Sequence, residues 1–174
     1  MKKIINHLIL SIFIFSFFVF VSSCDLKSED DIISSKVDNL IELLDKNDKD
    51  GLKKLFAESK IENIENFTDS LDELIEYYDG VLTSKLNCSK GTDRDKNANY
   101  QATWYNLSYK IITSTEIYRI AIYWCTEYTT DSKQLGIWSF YIINEKDYPT
   151  PDYAYRGDGL WTPGINIGKM YVED

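Results

Sequence analysis

The spacing of hydrophobic residues changes once along the chain, at Gly80, and this change restricts the folds that the chain can adopt. Before Gly80, apolar residues recur every three or four positions, the period of an amphipathic helix, at Ile33, Val37, Leu40, Ile41 and Leu44. After Gly80 they alternate with polar residues, which is the period of a strand with one buried face. The pattern predicts helices at about 32–79 and an antiparallel sheet at about 81–143.

Three helices are expected in the first part. The first begins at Ile32, and the second is a short helix capped by the side chain of Asp48. The third follows the polar residues 68–70, which are suited to capping its first turn. It ends before Gly80, because glycine readily adopts the left-handed conformation found after helices.

Strands are expected at 81–88, 100–113, 116–128 and 136–143. The segment 90–99 between the first two is polar and is expected to be a loop. The chain closes with a glycine- and tryptophan-rich segment, 148–174, which contains a short strand at 165–167.

The register of the hairpin around 113–116 follows from the alternation of side chains. A turn with an even number of loop residues places apolar residues opposite one another, pairing Tyr109 with Ile120, Leu107 with Ile122 and Tyr105 with Trp124. An odd turn would set Tyr109 against Arg119, so the even register is favoured. Trp138, Phe140 and Ile142 extend the apolar face, which predicts that Trp124 and Trp138 are both buried. Helices covering the apolar face of a curved antiparallel sheet form an α+β roll.

The N-terminus has the pattern of a lipoprotein signal peptide. Lys2 and Lys3 precede the uncharged apolar stretch 8–21, and small residues lead to Cys24. We expect cleavage before Cys24, diacylation of its thiol, and attachment to the extracytoplasmic face of the cell membrane. An uncleaved membrane anchor is the alternative, and it places the domain on the same side. The expected organisation is a signal peptide at 1–23, an acidic tether at 24–31 and a single domain at 32–174.

Charge and histidine content exclude several functions. Removal of 1–23 leaves 17 basic and 28 acidic residues, a formal net charge of −11, which argues against a nucleic-acid partner. The single histidine, His7, lies in the signal peptide, so the mature chain cannot contain a Ser-His-Asp triad or a histidine zinc site. Residues 47–51 resemble a calcium loop, but Lys46 and Ala57 occupy its first and last ligand positions. We expect no cofactor, no metal and no catalytic residue.

Four segments of the chain resemble a known family. They are 47–56, Gly80, the strand 136–143 (Gly-Ile-Trp-Ser-Phe-Tyr-Ile-Ile) and the tail 157–165 (Gly-Asp-Gly-Leu-Trp-Thr-Pro-Gly-Ile). Together they are similar to a family of small Gram-positive lipoproteins catalogued as a domain of unknown function. The resemblance implies a cystatin-like fold of the nuclear-transport-factor-2-like type, and it transfers no catalytic residues.

Two sets of residues are candidates for a site or a crosslink. A ligand pocket at the mouth of the cone-shaped fold that this resemblance implies could be lined by Tyr105, Tyr109, Trp124 and Trp138. Aromatic residues at alternating positions, however, more often form core. Cys88 and Cys125 could form a disulfide outside the cell. Against this, Cys88 alternates in step with Leu82 and Leu86, which are expected on the inner face, whereas Cys125 is expected on the outer face. Cysteines on opposite faces cannot form a disulfide unless a bulge intervenes.

These features favour a non-enzymatic, membrane-anchored module that binds a small ligand or a cell-envelope partner protein. The alternative is an extracytoplasmic hydrolase that uses carboxylates alone, since glycoside hydrolysis requires only two such groups. Arg156-Gly157-Asp158 matches an adhesion tripeptide, but any given tripeptide occurs by chance in roughly a few per cent of chains of this length, and such short matches have a high rate of false positives.

Overall fold

A computed structural model describes residues 28–148 and 164–168 of the chain. The helices are α1 (Glu29–Asp45), α2 (Lys49–Lys53), α3 (Glu58–Ile61) and α4 (Phe67–Tyr77). The strands are β1 (Leu82–Lys96), β2 (Gln101–Thr113), β3 (Ile117–Tyr128), β4 (Gly136–Asn144) and β5 (Ile165–Ile167). Short 3-10 turns at Ser132–Gln134 and Glu145–Asp147 flank β4. The predicted α+β class is confirmed.

Internal contacts divide the chain into two compact units, Met1–Val37 and Asp38–Asp174. The first unit contributes the beginning of α1 to the described residues, and Ile33 and Val37 are buried there. The second unit contains the remainder of α1 and all the other described elements. No helix in the described ranges is long and apolar enough to cross a membrane. The signal peptide, Cys24 and the tripeptide 156–158 lie outside the described residues.

The five strands form one antiparallel sheet in the order β1-β2-β3-β4-β5. The predicted hairpin register is confirmed for Tyr109 with Ile120, Leu107 with Ile122 and Tyr105 with Trp124. The Thr113 N–H donates a hydrogen bond to the Glu116 carbonyl oxygen at 2.9 Å, which closes the turn. The last strand also has its predicted bounds, Ile165–Ile167.

Helices cover one face of this sheet, which we call the inner face and which carries Tyr105, Leu107, Tyr109 and Ile111. Lys85, opposite Ile111, forms an ion pair of 2.5 Å with Asp38 of α1. Tyr78, just after α4, stacks on Tyr118 of β3 with ring centroids 5.3 Å apart. The opposite side is the outer face.

Tyrosine hydroxyls connect the end of α4 to the sheet and to the end of α1. The Tyr118 hydroxyl accepts a hydrogen bond from the Asp79 N–H at 2.8 Å and donates one to the Tyr77 carbonyl at 3.0 Å. The Tyr78 hydroxyl donates to Asp45 at 2.8 Å. Because these groups are buried or partly buried, each hydrogen bond avoids the cost of an unpaired polar atom.

The helix boundaries follow the sequence with small differences. The side chain of Asp48 accepts a hydrogen bond from the Gly51 N–H at 2.8 Å, which confirms it as the cap of α2. Gly80 has φ +85°, the predicted left-handed conformation. α1 begins at Glu29, three residues before the predicted start, because the acidic residues of its first turn suit a helix N-terminus.

Two features of the helical part were not predicted. α3 is a single turn without buried residues, so its sequence carries no apolar stripe. The third predicted helix, α4, begins at Phe67 after Asn66, which has φ +57°. Residues 68–70 therefore lie within its first turn, and the prediction that they cap it is wrong. Asparagine is among the residues that tolerate this conformation.

Four β-bulges interrupt the alternation of side chains. The unpaired extra residues are Thr83 and Cys88 in β1, Thr126 in β3 and Trp138 in β4. Each bulge shifts the strand by one residue, so the side chains beyond it exchange faces. Two predictions based on uninterrupted alternation are therefore wrong.

The first concerns Trp138, which was predicted to point inward with Trp124. Tyr123 pairs with Ser139 and Trp124 pairs with Ile137, so Ile137 takes the inward position. Trp138 is partly exposed, and its ring contacts Tyr123 on the outer face. Phe140 and Ile142 do lie opposite Ile122 and Ile120 on the inner face, as predicted.

The second concerns the β1 cysteine. Leu86 lies opposite Lys110 on the outer face and is 53% exposed, so it does not mark an inner apolar face. Cys88 is itself the extra residue of a bulge and is exposed. Cys125 is buried, which raises the pKa of its thiol to about 11. Both thiols are free.

β1 is an edge strand and is longer than predicted. It continues through most of the expected loop 90–99 to Lys96, and the turn is confined to 97–100. Its far half is exposed on both faces and pairs with β2 through backbone hydrogen bonds. Such pairing does not require apolar side chains, so no hydrophobic signal marks this half of the strand.

Candidate functional site

Five aromatic side chains join on the outer face, toward the end of the sheet where β2 begins and β3 ends. We call them the aromatic cluster: Tyr100, Trp104, Tyr123, Tyr128 and Trp138. All five are partly buried and partly exposed. This distinguishes them from the inner-face aromatic residues, which are almost fully buried.

The rings form a continuous chain of contacts. Tyr100 stacks on Tyr128 with centroids 5.5 Å apart, and the edge of Trp104 meets Tyr128 at 6.2 Å. Trp104 and Trp138 meet edge to face at 5.4 Å, and Trp138 meets Tyr123 at 6.0 Å. These separations lie in the favourable range for aromatic pairs.

Two bulges assemble the cluster. Thr126 is the extra residue in β3, and beyond it Tyr128 lies opposite Ala102, which places Tyr128 on the same face as Trp104. Trp138 is the extra residue in β4, which allows its ring to turn outward to Trp104. Bulges commonly redirect a side chain at functional positions.

The short helix α3 borders the cluster. The Lys60 ammonium lies 3.9 Å from the centroid of the Trp138 ring, a cation–π contact. The Trp138 indole N–H donates to the Gln134 carbonyl at 2.8 Å, and the Ser59 hydroxyl donates to the Gln134 side chain at 2.9 Å. Trp138 is therefore held at its edge, while its face is covered by a flexible side chain.

Acidic groups near the rings are already engaged. Asp95 accepts a hydrogen bond from the Tyr100 hydroxyl. Glu127 accepts bonds from Gln101 and Thr103, at 3.0 Å each, and these bonds lower the pKa of Glu127. Burial, and secondarily Asp93, raise the pKa of Tyr123 to about 12, so the phenol remains neutral at physiological pH.

Two buried polar atoms beside the rings have no hydrogen-bond partner in the described part of the chain. They are the indole Nε1 of Trp104 and the side-chain Oδ1 of Asn106. These residues are two apart on β2 and so share the outer face. Because a buried polar atom without a partner costs about 1–3 kcal/mol, such atoms are uncommon.

The candidate pocket residues do not form one site. Tyr105, Tyr109 and Trp124 share the inner face and are buried, at 2%, 4% and 3% exposed, and Tyr105 lies opposite Trp124. Lys90 lies 5.0 Å from the centroid of the Tyr105 ring. Trp138 lies on the opposite face, so the predicted set of four is wrong in that member.

A concave region lies apart from the cluster, between α2 and α3. It is a shallow groove of about 460 Å³ lined by Asp50, Lys53, Lys54, Phe56, Glu58 and Ile61. Glu58 also forms an ion pair of 2.9 Å with Lys133. In the residues that the structure describes, no group of three or more His, Cys, Asp or Glu side chains is arranged to hold a metal ion.

The sequence contains one signal for the cluster that its analysis missed. Trp104 lies on the same strand face as Asn106 and Lys110, a large aromatic residue among polar ones. An aromatic residue on the polar face of a half-buried strand indicates either a second packing surface or a binding surface.

A model of a protein family matches residues 39–145, more than half of the chain. No curated protein matches the chain. The matched region extends from α1 through β4 and includes all five rings of the cluster. The chain therefore belongs to the family described as a domain of unknown function, DUF5104.

Proposed function

We propose that this protein is a non-enzymatic binding module, held at the extracytoplasmic face of the cell membrane by a lipid on Cys24, and that the aromatic cluster is its binding surface. One observation carries the proposal. Partly exposed rings on the outer face lie beside two buried polar atoms that lack partners in the described residues, Trp104 Nε1 and Asn106 Oδ1. Rings with exposed area beside hydrogen-bonding groups that lack partners are typical of recognition sites.

The energetics favour binding over simple packing. Aromatic side chains provide large contact areas with few rotatable bonds, so they lose little entropy when a ligand orders them. A ligand that supplied partners to Trp104 and Asn106 would recover part of the cost of leaving these atoms unpaired. Packing alone explains the ring contacts but does not explain the two unpaired atoms.

We also propose that the fold is of the cystatin-like, nuclear-transport-factor-2-like type. N-terminal helices on one face of an antiparallel meander are the elements of a cystatin-like, nuclear-transport-factor-2-like arrangement. The sequence alone predicts a candidate ligand pocket lined by Tyr105, Tyr109, Trp124 and Trp138. Here Tyr105, Tyr109 and Trp124 are buried, so we assign binding to the outer face instead.

A carboxylate-only hydrolase is the alternative, and the groove between α2 and α3 is its candidate location because Asp50 and Glu58 both line it. Glycoside hydrolysis requires one carboxyl group with a raised pKa to act as the acid. In the described part of the chain, the carboxyl groups with clearly shifted pKa values are Glu116, Glu127 and Glu145, and all three are lowered. This ranks hydrolysis below binding.

The anchor can be tested directly. We expect Cys24→Ala to leave the precursor unprocessed or to release the protein from the membrane, because two acyl chains give stable attachment and the variant has none. Detergent-phase partitioning of the wild type and the variant measures this, with Cys88→Ala as a matched cysteine control. Equal partitioning of Cys24→Ala and the wild type would contradict the proposed anchor.

The binding surface can be tested without knowing the ligand. We expect hydroxyl-radical oxidation of Trp104, Tyr128 and Trp138 to be several-fold slower in native cell envelopes than in the full-length protein purified in detergent, because an occupant shields the cluster. Leu86, exposed elsewhere on the outer face, is the internal control and should be oxidised equally in both. Equal oxidation of the three cluster residues in both preparations would contradict the proposed binding surface.

A further inference from the structure

We propose that the ligand of the aromatic cluster is a neutral oligosaccharide, an inference that rests on the binding function proposed above. A sugar ring presents an apolar face that stacks on aromatic side chains and a rim of hydroxyl groups that both donate and accept hydrogen bonds. The cluster provides the matching groups in one place: exposed ring surface, one donor and one acceptor.

The arrangement of the rings suits a chain of sugars. Neighbouring centroids lie 5.4 to 6.2 Å apart, from Tyr100 at one end to Tyr123 at the other. Three of the four neighbouring pairs are edge to face, so a sugar unit that stacks on one ring meets the edge of the next ring. A single small ring would use only part of this surface.

The two unpaired atoms specify the polar contacts. Trp104 Nε1 is a donor and Asn106 Oδ1 is an acceptor, and they lie on residues two apart on one strand face. A hydroxyl or acetamido group can serve both. Both atoms are closed to solvent in the structure, so a neighbouring side chain must move before a ligand reaches them.

Lys60 is a second side chain that a ligand could displace, in this case from the face of Trp138. Its ammonium covers the face of Trp138 at 3.9 Å, on a long and flexible side chain. Displacing a partly exposed cation–π contact is inexpensive compared with moving a packed ring. A sugar ring that takes the place of Lys60 would stack directly on Trp138.

The charges around the cluster favour a neutral ligand. Asp95 is engaged by Tyr100, Glu127 by Gln101 and Thr103, and Lys60 by Trp138. Asp95 and Glu127 keep their negative charge when they accept these bonds, so they would repel an anionic ligand such as heparin. A neutral saccharide can use the ring faces and the two unpaired atoms and leave the acidic groups as they are.

The test is isothermal titration calorimetry of the full-length protein in a zwitterionic detergent that carries no sugar headgroup. The probes are chitohexaose, cellohexaose and maltohexaose, with a heparin hexasaccharide as the charged comparison. We expect at least one neutral probe to bind and the heparin probe to bind more weakly.

Variants assign this binding to the cluster. Trp138→Ala should abolish it, and Trp104→Phe, which keeps a ring but removes the donor, should weaken it about fivefold to tenfold. Lys60→Ala should bind at least as tightly as the wild type, because it removes only the group that covers the ring. Leu86→Ala, outside the cluster, should bind as the wild type does.

The outcomes separate the saccharide inference from the proposed function. If the cluster is protected in cell envelopes but none of the three neutral probes binds, the ligand is not a neutral saccharide and the binding function stands. If the cluster is neither protected in envelopes nor able to bind any probe, both proposals are overturned. Binding that survives Trp138→Ala and Trp104→Phe unchanged would overturn the saccharide inference at this site.

Discussion

Phe140→Ala is expected to lower the free energy of unfolding by about 3–5 kcal/mol, the usual range for truncating a buried aromatic side chain. Phe140 is 0% exposed on the inner face and lies between Ile122 of β3 and Ile167 of β5 in the sheet. Its removal leaves a cavity that backbone pairing on both sides prevents from closing. Denaturant unfolding followed by circular dichroism measures the change.

Trp138→Ala is the matched comparison, because the two residues are two positions apart on β4 but lie on opposite faces of the sheet as a result of the bulge. Trp138 is partly exposed, so its loss should cost about 2 kcal/mol or less, even though tryptophan is larger than phenylalanine. A loss for Trp138→Ala equal to that for Phe140→Ala would mean that Trp138 packs in the core, as uninterrupted alternation predicts.

Gly136→Ala is expected to lower the free energy of unfolding by about 3–4 kcal/mol. Gly136 has φ +127°, a conformation that alanine adopts only with strain. A Cβ atom there would also lie 2.6 Å from the Ala57 nitrogen and 2.7 Å from the Leu55 oxygen. These are backbone atoms, and the same segment is hydrogen-bonded to Ile137, so it cannot move aside without losing those bonds.

Gly91→Ala is the control for this prediction. Gly91 lies within β1, and a Cβ atom there would meet Asn106 Cβ at 3.6 Å, an ordinary contact. We expect a change within about 0.5 kcal/mol for this substitution. If Gly136→Ala and Gly91→Ala unfold at the same denaturant concentration, the close crossing of residues 55–57 with the start of β4 does not occur.

The parts of the fold that depend on local signals could be predicted from the sequence. The cap at Asp48 and the left-handed Gly80 follow from the chemistry of single residues. The β2–β3 register follows because a shift of one residue would place Arg119 opposite Tyr109 in the core. In each case the alternative carries a cost that is visible in the sequence itself.

The bulges could not be predicted in this way. A bulge at Trp138 or Cys88 costs little in the local sequence, because its stabilisation comes from the neighbouring strands and from the final packing. Uninterrupted alternation therefore predicts the wrong face for Trp138 and for Leu86. The inner-face residues of β2 and the first part of β3, where no bulge intervenes, were placed correctly.

The candidate site was missed for the same reason. The aromatic cluster depends on the bulges at Thr126 and Trp138, and it joins residues from β2, β3 and β4 with Lys60 from α3. The pocket predicted from the sequence combines Trp138 with Tyr105 and Trp124, which lie on the opposite face of the sheet. To predict a site on a sheet, one must know on which face each side chain lies, and a bulge changes that face.

The exposed far half of the edge strand β1 determines how two copies of the chain can meet. Two edges that pair symmetrically in one continuous antiparallel sheet bring together residues of equal parity. Centring such a pairing on Asp93 sets Lys90 of one copy opposite Lys96 of the other, and centring it on Thr92 sets Lys90 opposite Arg94. Centring it on Arg94 sets Asp93 opposite Asp95. Because like charges directly opposite each other are destabilising, all three registers are disfavoured. The charges of this long edge therefore oppose edge-to-edge pairing of two copies of the chain.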